Sequence, residues 1–171
     1  MTEPWELSDE ELLKECEWRA HRTSGPGGQK RNKTHSAIQI IHIPTGEEAG
    51  ASESRMQGEN RTHALKRLRH NLVLHLRREI DPETFTPPAE LKSQIGPKGK
   101  LAVNQENAKY LPIIATMLDL LVYYKGQVST SADKLGISTT NFINLLHKDS
   151  RLWTIAQEIR KKNNLPSLKA G

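Results

Sequence analysis

Between Ser36 and Ile80 the spacing of apolar residues changes, and that change narrows the folds open to this chain. "SAIQIIHIPTG" places Ile38, Ile40 and Ile43 among β-branched neighbours and ends on Pro44-Thr45-Gly46, the pattern of a strand and a turn. From Asn60 to Ile80 the spacing becomes helical. Ala64, Leu65, Leu68, Leu72 and Leu76 share one stripe, and most of the arginines lie off it. A helix with such a stripe packs on the sheet and shows its basic side to solvent or to a partner. The expected class is α+β.

Shorter elements follow from local signals. Ser8 and Glu11 form a capping-box pattern opening a helical turn over about Asp9 to Leu13. A brief strand is expected near residues 14–21, with Cys16 and Trp18 on one face. "EEAGASES", polar and interrupted by Gly50, reads as a weak partner strand. Residues 81–100, rich in proline and glycine, read as an extended linker and mark the domain boundary. Beyond it, Tyr110, Leu111, Ile114, Leu118, Leu121 and Val122 form a helical stripe, with Pro112 placed where a first turn tolerates it. Ala132, Leu135, Ile137, Phe142 and Leu145 then surround Gly136, a helix–glycine–helix spacing that resembles a helix-turn-helix. The expected organisation is a domain over 1–80, a linker over 81–100 and an all-helical segment over 101–171.

Charge is distributed unevenly. Residues 1–18 hold seven acids and one lysine, whereas no acid occurs from Arg19 to Gly46. A second basic block comprises Arg55, Arg61, Lys66, Arg67, Arg69, Arg77 and Arg78. Two basic clusters in one half of a chain point to an anionic polymer such as nucleic acid. The single cysteine, Cys16, excludes an internal disulfide and a cysteine-based metal cluster. No apolar run approaches the roughly 18 residues needed to span a bilayer. The acidic start lacks both the basic and the apolar region of a targeting peptide, so a cytoplasmic location is expected.

The stretch "RTSGPGGQKRNKT", residues 22–34, concentrates the chemistry. It is not a P-loop, because Asn32 stands where the second glycine belongs and a β-branched strand follows where a helix should. A dinucleotide fingerprint fails for want of its third glycine. Ser24 and Ser36 lack the frame of a nucleophile elbow, and His21, His35 and His42 have no zinc spacing. A glycine-rich, flexible tip remains, presenting the neutral amide of Gln29 amid positive charge. An amide does not act as a general acid or base at neutral pH. It can orient a water and donate a hydrogen bond to a developing oxyanion, while neighbouring cations hold phosphates.

From about Leu12 to Leu76 the sequence resembles the catalytic domain of class I peptide chain release factors and ribosome-rescue factors. The residues that carry the resemblance are Ser24-Gly25-Pro26, Gly27-Gly28-Gln29, Asn32-Lys33-Thr34, Pro44-Thr45-Gly46, and Arg55, Gln57, Asn60 and Arg61. It implies a small, mainly antiparallel sheet with a packed helix. It also implies a ribosome-dependent peptidyl-tRNA hydrolase whose loop enters the peptidyl-transferase centre, where water hydrolyses the peptide–tRNA ester. Gln29 takes the catalytic position, and Gly27 and Gly28 allow its backbone geometry. Arg22, Lys30, Arg31 and Lys33 would contact phosphates of ribosomal RNA or tRNA. Arg55 and Arg61, with Gln57 and Asn60, take supporting or contact roles. No cofactor or metal is implied; the partners are the ribosome and peptidyl-tRNA, the protein acting as a monomer.

The chain departs from the family pattern in informative places. It has no room for the domain that reads stop codons, which favours codon-independent rescue. Residues 101–171 carry nine lysines and arginines against five acids, with enough apolar residues to fold, in place of the basic tail common in short rescue factors. Lys30-Arg31 stands where a histidine or asparagine followed by valine is common. The competing reading is a non-catalytic RNA-, DNA- or ribosome-binding protein acting through the helix-turn-helix-like segment.

Overall fold

The computed structural model describes residues 2–21 and 36–169. The chain forms two compact units, Met1–His75 and Leu76–Gly171. Among the described residues no helix is long and apolar enough to cross a membrane.

In the first unit a 3-10 turn over Pro4–Glu6 precedes helix α1, Asp9–Lys14. Its capping box is complete: the Ser8 hydroxyl accepts from the Glu11 N–H, and the Glu11 carboxylate accepts from the Ser8 N–H at 2.9 Å. The Ser8 hydroxyl also donates to that carboxylate at 2.7 Å, and this bond, with the one from the Ser8 N–H, holds the Glu11 carboxyl below its ordinary range. Strands β1 (Cys16–His21), β2 (Ala37–His42) and β3 (Glu48–Ala51) make an antiparallel sheet in the order β1-β2-β3. The polar "EEAGASES" thus does supply a strand, although only four residues of it pair.

Ile38 and Ile40 of β2 are fully buried beneath helix α2, Gln57–His75. Ala64, Leu65, Leu68 and Leu72 form the buried stripe of α2, and Leu12 of α1 joins the same core. Arg69, also on α2, fastens the N-terminal segment. One of its guanidinium nitrogens donates to the carbonyls of Trp5 (3.1 Å) and Leu7 (2.6 Å), and the other pairs with Asp9 at 2.7 Å.

The α2 helix begins one turn before Asn60 and ends at His75 rather than Ile80. The reason for the stop is electrostatic. The Arg78 backbone N–H donates to the Asp119 carboxylate at 3.1 Å, and its side-chain Nε donates to the same group at 2.7 Å. A helical continuation would need that N–H for its own ladder. Leu76 accordingly belongs to the second unit.

The second unit contains α3 (Ala89–Lys92), α4 (Tyr110–Tyr123), α5 (Val128–Leu135), α6 (Thr139–His147) and α7 (Ser150–Lys162). Pro112 sits in the first turn of α4, where its missing N–H has no helical acceptor. Gly136 closes α5 with φ +71°, a left-handed cap that glycine adopts without Cβ strain, and Ser138 caps α6. Ala132, Leu135, Ile137, Phe142 and Leu145 are all buried, so the helix–glycine–helix reading describes a real pair of packed helices.

Residues 81–100 do not behave as the expected linker. They lie inside the second unit, where Leu91 is fully buried, Lys134 donates to the Pro82 carbonyl at 2.8 Å, and Ile95 bridges to Leu101. Proline and glycine here shape tight turns over a core instead of spacing two bodies apart.

Candidate functional site

His21 and Ala37 are Cα partners in the antiparallel β1–β2 ladder, so the chain leaves and re-enters the sheet at one end. The intervening residues 22–35 include Arg22, Gly27, Gly28, Gln29, Lys30, Arg31 and Lys33, and they lie outside the described residues. What the structure does describe is the base from which that stretch departs and to which it returns.

Asn60 is the centre of this base. Its side chain is fully buried in the first turns of α2. Its Nδ2 donates to the Ser36 carbonyl at 2.6 Å and to the Ser54 carbonyl at 2.8 Å, while its Oδ1 accepts from the Ser54 N–H at 2.9 Å. A single amide therefore ties together the return point of the chain, the β3–α2 connection and the helix. Asparagine suits this because it carries donors and an acceptor on one short side chain, and both are needed. A buried polar group with all partners in place is rigidifying rather than costly.

Beside it, the Arg61 guanidinium lies over the Trp18 ring at 5.0 Å from the centroid. Trp18 is 43% exposed on β1. The Arg61 Nε is buried and has no hydrogen-bond partner among the described residues. The cation is thus held by a ring face, an arrangement that keeps its charge near the loop base. Arg55 and Gln57 are exposed at the start of α2, next to Met56, which is 64% exposed. Sequence reasoning picked out Asn60 and Arg61 but missed Trp18 as the ring under the arginine. Ser36 and Ser54 offered no signal, since they act through backbone groups.

Four other arginines of the basic block have structural work. Arg67 donates to the Gly50 carbonyl at 2.6 Å and pairs with Glu53. Backbone N–H groups of Glu53 and Ser52, with Arg67, keep the Glu53 carboxyl below its ordinary range. Arg69 anchors the N-terminal segment, and Arg77 and Arg78 pair with Asp119, whose side chain is only 1% exposed. Of the arginines in the basic block, Arg55 follows Ser54 and Arg61 follows Asn60, the two residues joined at the base.

His42 is buried and bridges two elements, with Nδ1 2.7 Å from the Thr45 hydroxyl and Nε2 3.0 Å from the Glu15 carboxylate. It fixes the Pro44-Thr45-Gly46 turn against the start of β1. Burial, followed by the nearby Glu15 charge, raises the Cys16 thiol above its ordinary value, which opposes thiolate formation. Among the described residues no cluster of histidine, cysteine or acidic side chains could hold a metal.

The sequence of this chain matches a known family. The model for the RF-1 domain matches residues 9–107. Peptide chain release factor 1 of Kocuria rhizophila is 41% identical over 75 residues, covering 44% of this chain and 20% of that protein. Peptide chain release factor 2 of Helicobacter pylori is 39% identical over 83 residues, covering 48% and 22%. The protein named "Peptide chain release factor 1-like, mitochondrial" of Rattus norvegicus is 39% identical over 79 residues, covering 46% and 20%. The chain thus spans about a fifth of the length of these curated relatives. With more than half of its residues matched, and with the sheet, helix and loop base in place, the chain belongs to the RF-1 domain family.

Proposed function

We propose that this protein promotes hydrolysis of the peptidyl-tRNA ester in the ribosomal peptidyl-transferase centre, and that it does so without reading a stop codon. One observation carries the reading: the Gly27-Gly28-Gln29 tripeptide falls in a stretch whose two ends are paired on a rigid sheet, within the region matched by the family. The chemistry asked of such a tip is modest. Hydrolysis by water needs an oriented nucleophile and hydrogen-bond donors aimed at the developing oxyanion. The Gln29 backbone N–H and side-chain amide supply donors, and no proton has to be exchanged with the protein. Arg22, Lys30, Arg31 and Lys33 would bind phosphates and hold the tip in an RNA site, with Arg55 and Arg61 contributing at its base.

For codon independence the support is the segment that follows the matched residues 9–107, which in this chain is the helical run α4–α7. Peptide release from ribosomes with empty, stop-filled and sense-filled decoding sites tests both parts. Release from the empty-site complex is expected. Release confined to stop-filled complexes would overturn codon independence, and no release from any of them would overturn the activity.

A further inference from the structure

The second unit carries a basic hairpin seated on a helix pair. Residues 91–105 contain Lys92, Lys98 and Lys100 and no acid. The Ile95–Leu101 bridge closes the hairpin. At its tip the Gly99 N–H donates to the Gly96 carbonyl at 2.9 Å, and the Gly96 N–H to the Lys100 carbonyl at 3.0 Å. Gly99 has φ +65°, which turns the chain sharply enough to leave Lys98 and Lys100 exposed on either side of it.

Its position is fixed by α6. Asn141, buried in the first turn of that helix, accepts from the Leu101 N–H at 2.8 Å and donates to the Leu101 carbonyl at 3.0 Å. A Cβ on Gly99 would lie 3.8 Å from the Gly136 carbonyl, so the tip rests against the turn between α5 and α6. On α6 itself, Thr139, Thr140, Asn144 and His147 are exposed. Asp133 is the one acid of the α5–α6 pair. Two exposed lysines are therefore held by a two-bond clamp next to a polar helix face.

We infer that the hairpin and α6 together form a docking surface for the phosphate backbone of double-helical RNA. Exposed lysines on a backbone held in place suit phosphates as point charges. The exposed face of α6 offers two threonine hydroxyls, the Asn144 amide and the His147 ring, and none of the arginines or lysines that make the commonest specific contact, to guanine edges. That set fits contact with backbone and 2′-hydroxyl groups, the means by which duplex RNA is recognised. The choice of RNA over DNA also rests on the proposed function of the first unit.

Anisotropy of a short labelled RNA duplex with the full chain, across about 50–200 mM KCl, tests this. Lys98→Ala/Lys100→Ala is expected to weaken binding about tenfold and to lower the slope of log affinity against log salt by about 2, about one per lysine. Lys98→Arg/Lys100→Arg should restore both. Lys161→Ala/Lys162→Ala, which removes the same charge from the last turn of α7, should change them less. Both lysines of the hairpin are exposed, so an unchanged melting temperature serves as the folding control. Equal losses in the two alanine pairs, an unchanged slope, or tighter binding to DNA of the same sequence would each overturn the inference. No ribosome is present in this assay. Failure of peptide release would therefore overturn the proposed function and leave this surface standing.

Discussion

Replacing Asn60 by aspartate changes one group and nearly no volume, which makes it a sharp probe of the loop base. The Oδ1 acceptor for the Ser54 N–H is kept, but both donors are lost. A carboxylate oxygen then faces the Ser36 and Ser54 carbonyls across the distances of 2.6 and 2.8 Å that the amide now spans. Losing two buried hydrogen bonds costs about 1–3 kcal/mol, and burying a charge against two carbonyl oxygens adds about 1–3 kcal/mol more. Asn60→Ala, which removes all three bonds without adding charge, should cost about 3 kcal/mol. The two variants are then separated by pH. Burial and the carbonyls raise the folded pKa of the introduced carboxyl above its unfolded value of about 3.9. A raised pKa means that the protonated form, which can donate again, is favoured in the fold. The deficit of Asn60→Asp should be smallest below about pH 4 and grow as pH rises through the folded value, whereas that of Asn60→Ala should not follow this course. Urea unfolding followed by tryptophan fluorescence in a Trp153→Phe background reads the first unit alone, because Trp5 and Trp18 are its two tryptophans. Equal midpoints for Asn60→Asp and the parent at pH 7 would refute the reasoning.

In the second unit, Asp119→Ala removes the acceptor of the Arg78 N–H and Nε and the ionic partner of Arg77, whose pKa burial already lowers. The arginine side chains are 21% and 31% exposed, so the loss should be about 3 kcal/mol, at the low end for a broken buried pair, read by chemical denaturation. Burial and then Asp149 push the Tyr110 phenol up to about 12. The neutral phenol is thus favoured in the fold; its contribution is complete below about pH 10 and is lost as pH rises towards 12. Thermal melts over that window should fall less steeply for Tyr110→Phe. Gly126 has φ +81°, and a Cβ there would meet Arg160 Cα at 3.2 Å. Gly126→Ala should therefore cost about 2–4 kcal/mol, more than Gly136→Ala, which carries the φ strain with nothing within 4 Å of its Cβ.

The first unit was legible because its signals are local and agree with one another. Ser8 and Glu11 specify their cap, Ile38 and Ile40 their buried face, and the leucine stripe its helix. The same holds for Gly136, whose left-handed conformation follows from residue type and spacing. What escaped was decided by partners distant in sequence. Nothing near Ile80 announces that α2 stops at His75; the stop depends on a carboxylate 41 residues from Arg78. The stretch 81–100 has the composition of a linker, yet Asn141 binds the Leu101 backbone from 40 residues away and holds its hairpin in the unit. Charge density likewise overstated the surface available for nucleic acid, because Arg67, Arg69, Arg77 and Arg78 are engaged internally. In the site, Gln29 and its tripeptide lie outside the described residues, while the Asn60 clamp needed the fold to show what it joins.

The central proposal is that Gln29 is presented to a peptidyl-tRNA ester. Its most direct test is single-turnover release of labelled peptide from ribosomes with an empty decoding site, comparing the parent chain with Gly28→Ala and Gln29→Ala. A buried oxyanion donor contributes on the order of 10²–10³ in rate, so a loss of that size is expected in Gly28→Ala, where the backbone N–H is displaced. Gln29→Ala keeps that N–H and should lose less. Equal release by the parent and the Gly28 variant would contradict the account.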